Sequence, residues 1–266
     1  MSDALISLRG VAKTFGGLKA VTDCSFDVRQ GSITGLIGPN GAGKTTVFNM
    51  IAGFLRPTSG QILFDGDDIT RLSPERRFHR GIVRTFQIPH VFHRMTVLEN
   101  LMLVPPAQSG ENLIAAWTRW GTIRDEEHEV RRRADDVLNA LNLAHVRDEL
   151  AGRISGGQRK LLELGRTMMT PARVVLLDEP GAGVNPTLME EIVGIIQKLN
   201  RERGYTFCII EHDMDLIAKL CDPIVVMAEG TVLTEGPVDD VRRNETVLEA
   251  YLGTAGVAEM KAEARP

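Results

Sequence analysis

Three short stretches carry residue types suited to handling phosphate. Gly38-Pro39-Asn40-Gly41-Ala42-Gly43-Lys44-Thr45-Thr46 has the GxxxxGK[ST] spacing. It follows the strand-like run Ser32–Ile37 and precedes an apolar helical segment containing Val47, Phe48, Met50 and Ile51. Glycines there let backbone N–H groups wrap a phosphate, and the helix N-terminus adds its positive dipole end. Lys44 is expected to reach the β- and γ-phosphates of a bound nucleotide, and the Thr45 hydroxyl to ligate Mg2+.

The second stretch is an acid pair. Val174-Val175-Leu176-Leu177 ends in Asp178-Glu179-Pro180. In a parallel sheet the C-terminal end of a strand faces the ligand crevice, which is where two acids become useful. Asp178 can hold Mg2+ directly or through water. Glu179, one residue on, points elsewhere and can polarise an attacking water. An acid pair alone reads as an ordinary solvated strand end; a phosphate loop in the same chain shifts that balance.

The third stretch, Ser155-Gly156-Gly157-Gln158, stands before the apolar-periodic segment Leu161–Met169. Ser-x-x-Gln is a capping-box pattern, and helix capping accounts for it in part. Two adjacent glycines exceed what a cap needs and bare the backbone at a positively polarised helix end. That end suits a γ-phosphate, which need not be the one held by Lys44.

These residues need elements to place them. Ile6 and Leu8, then Cys24, Phe26 and Val28, alternate with polar neighbours, and Asp65-Gly66 after Gln61–Phe64 is a hairpin signal. The first quarter therefore reads as an antiparallel β layer interleaved with one strand–loop–helix unit. Val174–Leu177 and Thr206–Ile210 read as buried parallel strands, and Ile224–Met227 with Thr231–Thr234 as a late hairpin around Glu229-Gly230. After Pro105-Pro106, a helical pattern around Arg124–Leu143 carries an apolar stripe of Val130, Ala134, Val137, Leu138 and Leu141. Glu127→Arg131 and Glu129→Arg133 are expected to pair across one helical turn.

Composition bounds the function. The 266 residues carry 31 Lys+Arg against 35 Asp+Glu, a net charge of −4 with no broad basic field for nucleic acid. The local run Arg76, Arg77 and Arg80 is read as a solvated face. Cys24, Cys208 and Cys221 form no CxxC pair and read as buried thiols of a reducing compartment. No apolar run approaches bilayer length, and MSDALISLRG lacks a signal segment, so the chain is expected in the cytosol.

Taken in order, Gly38–Thr46, Gln87, Ser155–Gln158, Asp178-Glu179 and His212 resemble the nucleotide-binding cassette of ABC transporters, over roughly Leu5 to Gly253. The resemblance implies an α/β fold: a P-loop NTPase (RecA-like) core with an antiparallel β subdomain and an α-helical subdomain. It implies a single cassette over residues 1–253, with the helical subdomain at about 88–165 and a disordered tail at 254–266. Gln87 matches the family's glutamine that joins the helical subdomain and touches Mg2+ and the membrane partner. His212 matches the switch histidine that contacts the γ-phosphate, and Phe15 the aromatic that stacks on adenine. Ala182-Gly183-Val184-Asn185 stands where many cassettes carry SALD, so Asn185 replaces an interfacial Asp and keeps hydrogen bonding without the charge.

The implied mechanism is an ATP sandwich. Two cassettes, identical or paralogous, close head-to-tail on two ATP and Mg2+, each ATP between one subunit's Lys44 loop and the other's Ser155–Gln158. The motion passes through the segment 87–103 to transmembrane permease subunits, with a periplasmic solute-binding protein as an indirect partner and no nucleic acid. The cassette would then sit peripherally on the inner face of the membrane. Arg84-Thr85-Phe86-Gln87, His212-Asp213-Met214-Asp215-Leu216 and Ala250-Tyr251-Leu252-Gly253 resemble the ATPases of branched-chain amino-acid importers. Urea and amide importers and lipopolysaccharide exporters share much of this pattern. A soluble ABC-type ATPase acting on DNA or ribosomes usually has tandem cassettes or a long insertion; here one phosphate loop lies only 134 residues before Asp178. Glu179 and His212 together argue against a catalytically silent cassette.

Overall fold

The computed structural model describes residues 3–85, 91–106 and 120–251. Gln87 and the tail at 254–266 lie outside the described residues. The chain divides into two compact units. The first holds the residues up to Arg84, Arg173–Gly183 and those from Ile196 onward; the second holds Thr85–Ala172 and Val184–Ile195.

The first unit is built on a ten-stranded sheet of order β5-β4-β1-β2-β10-β9-β3-β8-β7-β6. The strands are β1 (Ala4–Phe15), β2 (Leu18–Arg29), β3 (Ile33–Ile37), β4 (Ser59–Phe64), β5 (Asp67–Asp68), β6 (Ile82–Arg84), β7 (Val174–Asp178), β8 (Thr206–Ile210), β9 (Ile224–Ala228) and β10 (Thr231–Gly236). β1, β2, β4 and β5 pair antiparallel, with Asp65-Gly66 forming the turn between β4 and β5. β9 and β10 form the late hairpin. β6, β7, β8, β3 and β9 pair parallel in that order, β9 meeting β10 antiparallel on its other side.

The parallel strands β3, β7, β8 and β9 are buried at every position, which is why they read as unbroken apolar runs. In β1 the alternation is only partial, because Leu5 and Ser7 are buried along with Ile6 and Leu8. Helix Lys44–Ala52 places Val47, Phe48, Met50 and Ile51 in a core shared with Leu36, Val174, Leu176 and Cys208. All three cysteines are buried and free.

Arg77 departs from its expected place on a solvated face. It is 1% exposed and sits on helix Pro74–His79 against the end of helix Lys44–Ala52. Its guanidinium donates to the carbonyls of Met50, Ile51, Ile69, Thr70 and Leu72. A cation at a helix C-terminus satisfies carbonyls that have no partner within the helix. Arg80 keeps to the surface and pairs with Asp67 at 2.8 Å.

In the second unit, helix Trp120–Ala140 buries Ala134, Val137 and Leu138, with Leu141 just beyond its end. Arg131 faces Glu127 at 3.9 Å, as its spacing predicts. Glu129 instead pairs three residues on, with Arg132 at 2.7 Å, because Arg133 reaches the Met169 carbonyl. Helix Gly156–Met168 starts at the expected capping box, with Ser155 Oγ accepting from Gln158 N and Gln158 Oε1 from Ser155 N.

Candidate active site

Three strands of the first unit bring their C-terminal ends together. β3 ends at the phosphate loop, β7 at Asp178, and β8 just before Glu211-His212.

Gly38 leaves β3 with φ 148°, and a Cβ there would lie 2.0 Å from the Met227 carbonyl oxygen, so only glycine fits. Gly43 caps helix Lys44–Ala52 in the left-handed region, with no side chain bonded to the helix N-terminus. The helix therefore offers its first N–H groups to an anion. Lys44 curls back, donating from Nζ to the carbonyls of Gly38 at 2.6 Å and Pro39 at 3.0 Å. Burial pulls its pKa down, while the nearby Glu179 and Asp178 carboxylates oppose that shift. Asn40, Gly41 and Thr45 are exposed, Pro39 and Thr46 half-buried, and Ala42 is buried.

Asp178 is buried and accepts from Arg84 Nη2 at 2.7 Å. Arg84 also donates to Asn49 Oδ1 at 2.5 Å and lies over the Phe48 ring. Glu179 adopts φ 50°, a conformation that costs a non-glycine residue about 1–3 kcal/mol unless its surroundings hold it. Its N–H donates to Ile210 O at 2.9 Å and its carbonyl accepts from Ala182 N at 3.1 Å. Its Oε1 lies 2.6 Å from His212 Nε2. A carboxylate bonded to an imidazole beside a lysine-bearing phosphate loop can orient a water on a terminal phosphate.

The oxygen donors here, the Asp178 carboxylate and the Thr45 hydroxyl, suit a hard cation such as Mg2+, which takes few protein ligands and completes its shell with phosphate and water. Among the described residues no group of three or more His, Cys, Asp and Glu forms a dedicated metal cage. Two oxygen donors of this kind fit Mg2+ by their chemistry.

Phe15 is 44% exposed at the end of β1, with Lys13 Nζ 5.1 Å from its ring centroid, so its face is not spent on core packing. Within the second unit, a Cβ at Gly157 would strike Leu188 Cδ2 at 2.2 Å, whereas Gly156 has room. The second glycine of Ser155–Gln158 thus leaves room for the tip of the Leu188 side chain, which a larger residue would force to shift. Asn185 Oδ1 accepts from Leu188 N at 2.9 Å, capping helix Pro186–Arg203. Asn and Asp cap helices about equally well, which explains how Asn185 can stand in a position usually held by Asp.

Sequence reasoning missed Arg84 as a partner of Asp178, and it missed Glu211. Glu211 is 5% exposed and accepts from Gly181 N at 2.6 Å and His212 N at 3.1 Å. It also missed Tyr251 as a neighbour of the phosphate loop: burial raises the phenol pKa, partly offset by the Gly38 N–H. A charged residue at the end of an apolar strand is the only sequence signal Glu211 gives.

Comparison with known proteins settles the family. The ABC transporter model matches residues 21–182, and a branched-chain amino acid ATP-binding cassette transporter model matches residues 231–257. The chain belongs to the ABC transporter family. It is an ATP-hydrolysing cassette with the mixed α/β fold that membership implies. The cassette is 42% identical to the probable branched-chain amino acid transport ATP-binding protein LivG of Archaeoglobus fulgidus, covering 94% of this chain and 95% of that one. It is 39% identical to the high-affinity branched-chain amino acid transport ATP-binding protein BraF of Pseudomonas aeruginosa, covering 96% of this chain and all of the relative. Among solved structures, the ADP conformation of an ATP-binding cassette of an ABC transporter superposes with a TM-score of 0.80 at 38% identity, covering 94% of this chain and 99% of that one. No helix among the described residues is long and apolar enough to cross a membrane.

Proposed function

We propose that the cassette powers a membrane importer for branched-chain amino acids or a related small polar solute. The observation that carries the reading is the Glu179–His212 contact at 2.6 Å, set beside a buried Lys44 whose ammonium the Glu179 and Asp178 carboxylates favour. In this reading Lys44 releases the Gly38 and Pro39 carbonyls to bind the β- and γ-phosphates, and the N–H groups of Gly41–Thr46 wrap them. Phe15 stacks on adenine. Thr45, Asp178 and Gln87 would hold Mg2+, which when bound would neutralise phosphate charge. Glu179 takes a proton from the attacking water, and His212 fixes the carboxylate and touches the γ-phosphate.

Ser155–Gln158 of a second cassette, identical or paralogous, covers the same ATP, with Asn185 in the loop at the dimer interface. The chain acts as one cassette over residues 1–253, with a helical part at about 88–165. It sits on the cytoplasmic face of the membrane against permease subunits that receive substrate from a periplasmic binding protein. The cargo assignment is supported by the names of the A. fulgidus and P. aeruginosa relatives. Vesicles carrying the cassette and its permeases test it: ATP on the cassette side should drive leucine accumulation in the presence of the binding protein. Accumulation of urea and not leucine would reassign the cargo; no ATP-dependent uptake of any solute would reject the transport role.

A further inference from the structure

We propose that Glu211 is a positioning residue for ATP hydrolysis, its buried carboxylate setting Glu179 and His212 at the same time. The proposal rests on the reading of Glu179 as the group that activates water.

Three successive residues at the end of β8 grip the turn that follows β7. The Ile210 carbonyl accepts the Glu179 N–H at 2.9 Å. Glu211 Oε1 accepts the Gly181 N–H at 2.6 Å, two residues beyond Glu179. His212 Nε2 meets Glu179 Oε1 at 2.6 Å. The remaining Glu211 oxygen, Oε2, accepts the His212 N–H at 3.1 Å. One carboxylate thus spans the backbone of both segments that carry the Glu179–His212 pair.

Glu211 is an expensive choice for a merely structural peg. It is buried, burial pushes its carboxyl pKa up, and the neighbouring Glu179 carboxylate pushes the same way. Packing alone is served more cheaply by an apolar side chain of similar volume. What a carboxylate adds is two acceptors for two N–H groups. Those contacts hold the turn Glu179-Pro180-Gly181-Ala182, in which Glu179 keeps φ 50°. Freed at Gly181, the turn can relax and carry the Glu179 carboxylate away from the place the reaction needs. Glu211 itself carries no reacting atom and acts through the other two residues.

The test uses the full chain and its steady-state ATP hydrolysis, with ATP affinity measured separately at equilibrium. Glu211→Gln keeps the volume but turns an amide N–H toward one of the two N–H donors. It should lower kcat about ten- to a hundredfold, the scale expected when a reacting group moves by about 1 Å. KM and ATP affinity should stay within about twofold, since the loss falls on the transition state alone. Glu211→Asp keeps both acceptor oxygens on a shorter arm, so the order of kcat should be Glu, then Asp, then Gln. A packing role predicts Gln above Asp, and that order overturns the proposal, as does wild-type kcat in the Gln variant. Should the Gln variant not fold, the Asp variant decides: reduced kcat with unchanged affinity supports the proposal, and wild-type kcat or a parallel loss of affinity overturns it. Glu179→Gln is run alongside. If it stops turnover while the Glu211 variants do not, this proposal alone fails; if it leaves turnover intact, the reading of Glu179 fails first.

Discussion

Arg84 donates from Nη2 to Oδ2 of Asp178 at 2.7 Å, and the two side chains are only 6% and 8% exposed. The pair joins the end of β6 to the end of β7, with Asn49 of the phosphate-loop helix on the other arm of the guanidinium. Removing one partner of a buried ion pair strands the other charge. Arg84→Met should therefore destabilise the chain by about 3 kcal/mol in urea denaturation. A loss under about 1 kcal/mol, the range of an exposed pair, would show that the bridge is not structural.

Arg77 holds the far end of the same helix. Its guanidinium serves five carbonyls, and burial lowers its pKa to about 10, so it remains charged at neutral pH. Hydrogen bonds from a charged donor are worth about 1.5–3 kcal/mol each. Arg77→Met should cost at least about 3 kcal/mol. Arg77→Lys should recover only part of that, because an ammonium has three donors where the guanidinium has five. Equal stability of the Lys variant and the native chain would contradict this account of the site.

The thiols are predicted to be inert in the folded state. Burial pushes Cys24 and Cys221 up to about 12 and raises Cys208 as well. These pKa values lie above the ordinary thiol value of 9.0, so the folded chain keeps protons that the unfolded chain releases. The stability linked to them is whole below pH 9 and is lost as pH climbs toward 12. At pH 8 a disulfide reagent should label none of the three until denaturant is added; stoichiometric labelling of the native protein within minutes would contradict their burial.

How much of this was visible in the sequence depends on the range of the contacts involved. The phosphate loop, the Ser155–Gln158 cap and the Asp65-Gly66 turn are set by residues within a few positions of each other. The buried strands β7 and β8 read as apolar runs because every one of their positions is buried. Arg77, Arg84 and Glu211 were not legible. Each is a charge with at least one partner far along the chain: Asp178 is 94 residues from Arg84, Gly181 30 from Glu211, and Met50 27 from Arg77. Local periodicity places such residues on a solvated face by default; the sheet order β8-β7-β6 brings Arg84 and Glu211 to their partners, and the end of helix Lys44–Ala52 brings Arg77 to its own. Asn185 was read through its missing charge, while its cap on Leu188 N is a local signal the sequence did offer. Glu129 went to Arg132 and not Arg133 because a backbone carbonyl from another helix claimed the latter.

The central claim is that Glu179 drives hydrolysis of an ATP held between two cassettes, and Glu179→Gln tests it most directly. The substitution keeps size and hydrogen bonding but removes the base, so turnover should fall at least about a hundredfold. ATP affinity should remain, and with Mg2+ and ATP the variant should pass from monomer to dimer by light scattering. Undiminished turnover, or a variant that binds ATP and stays monomeric at every concentration, would contradict the account.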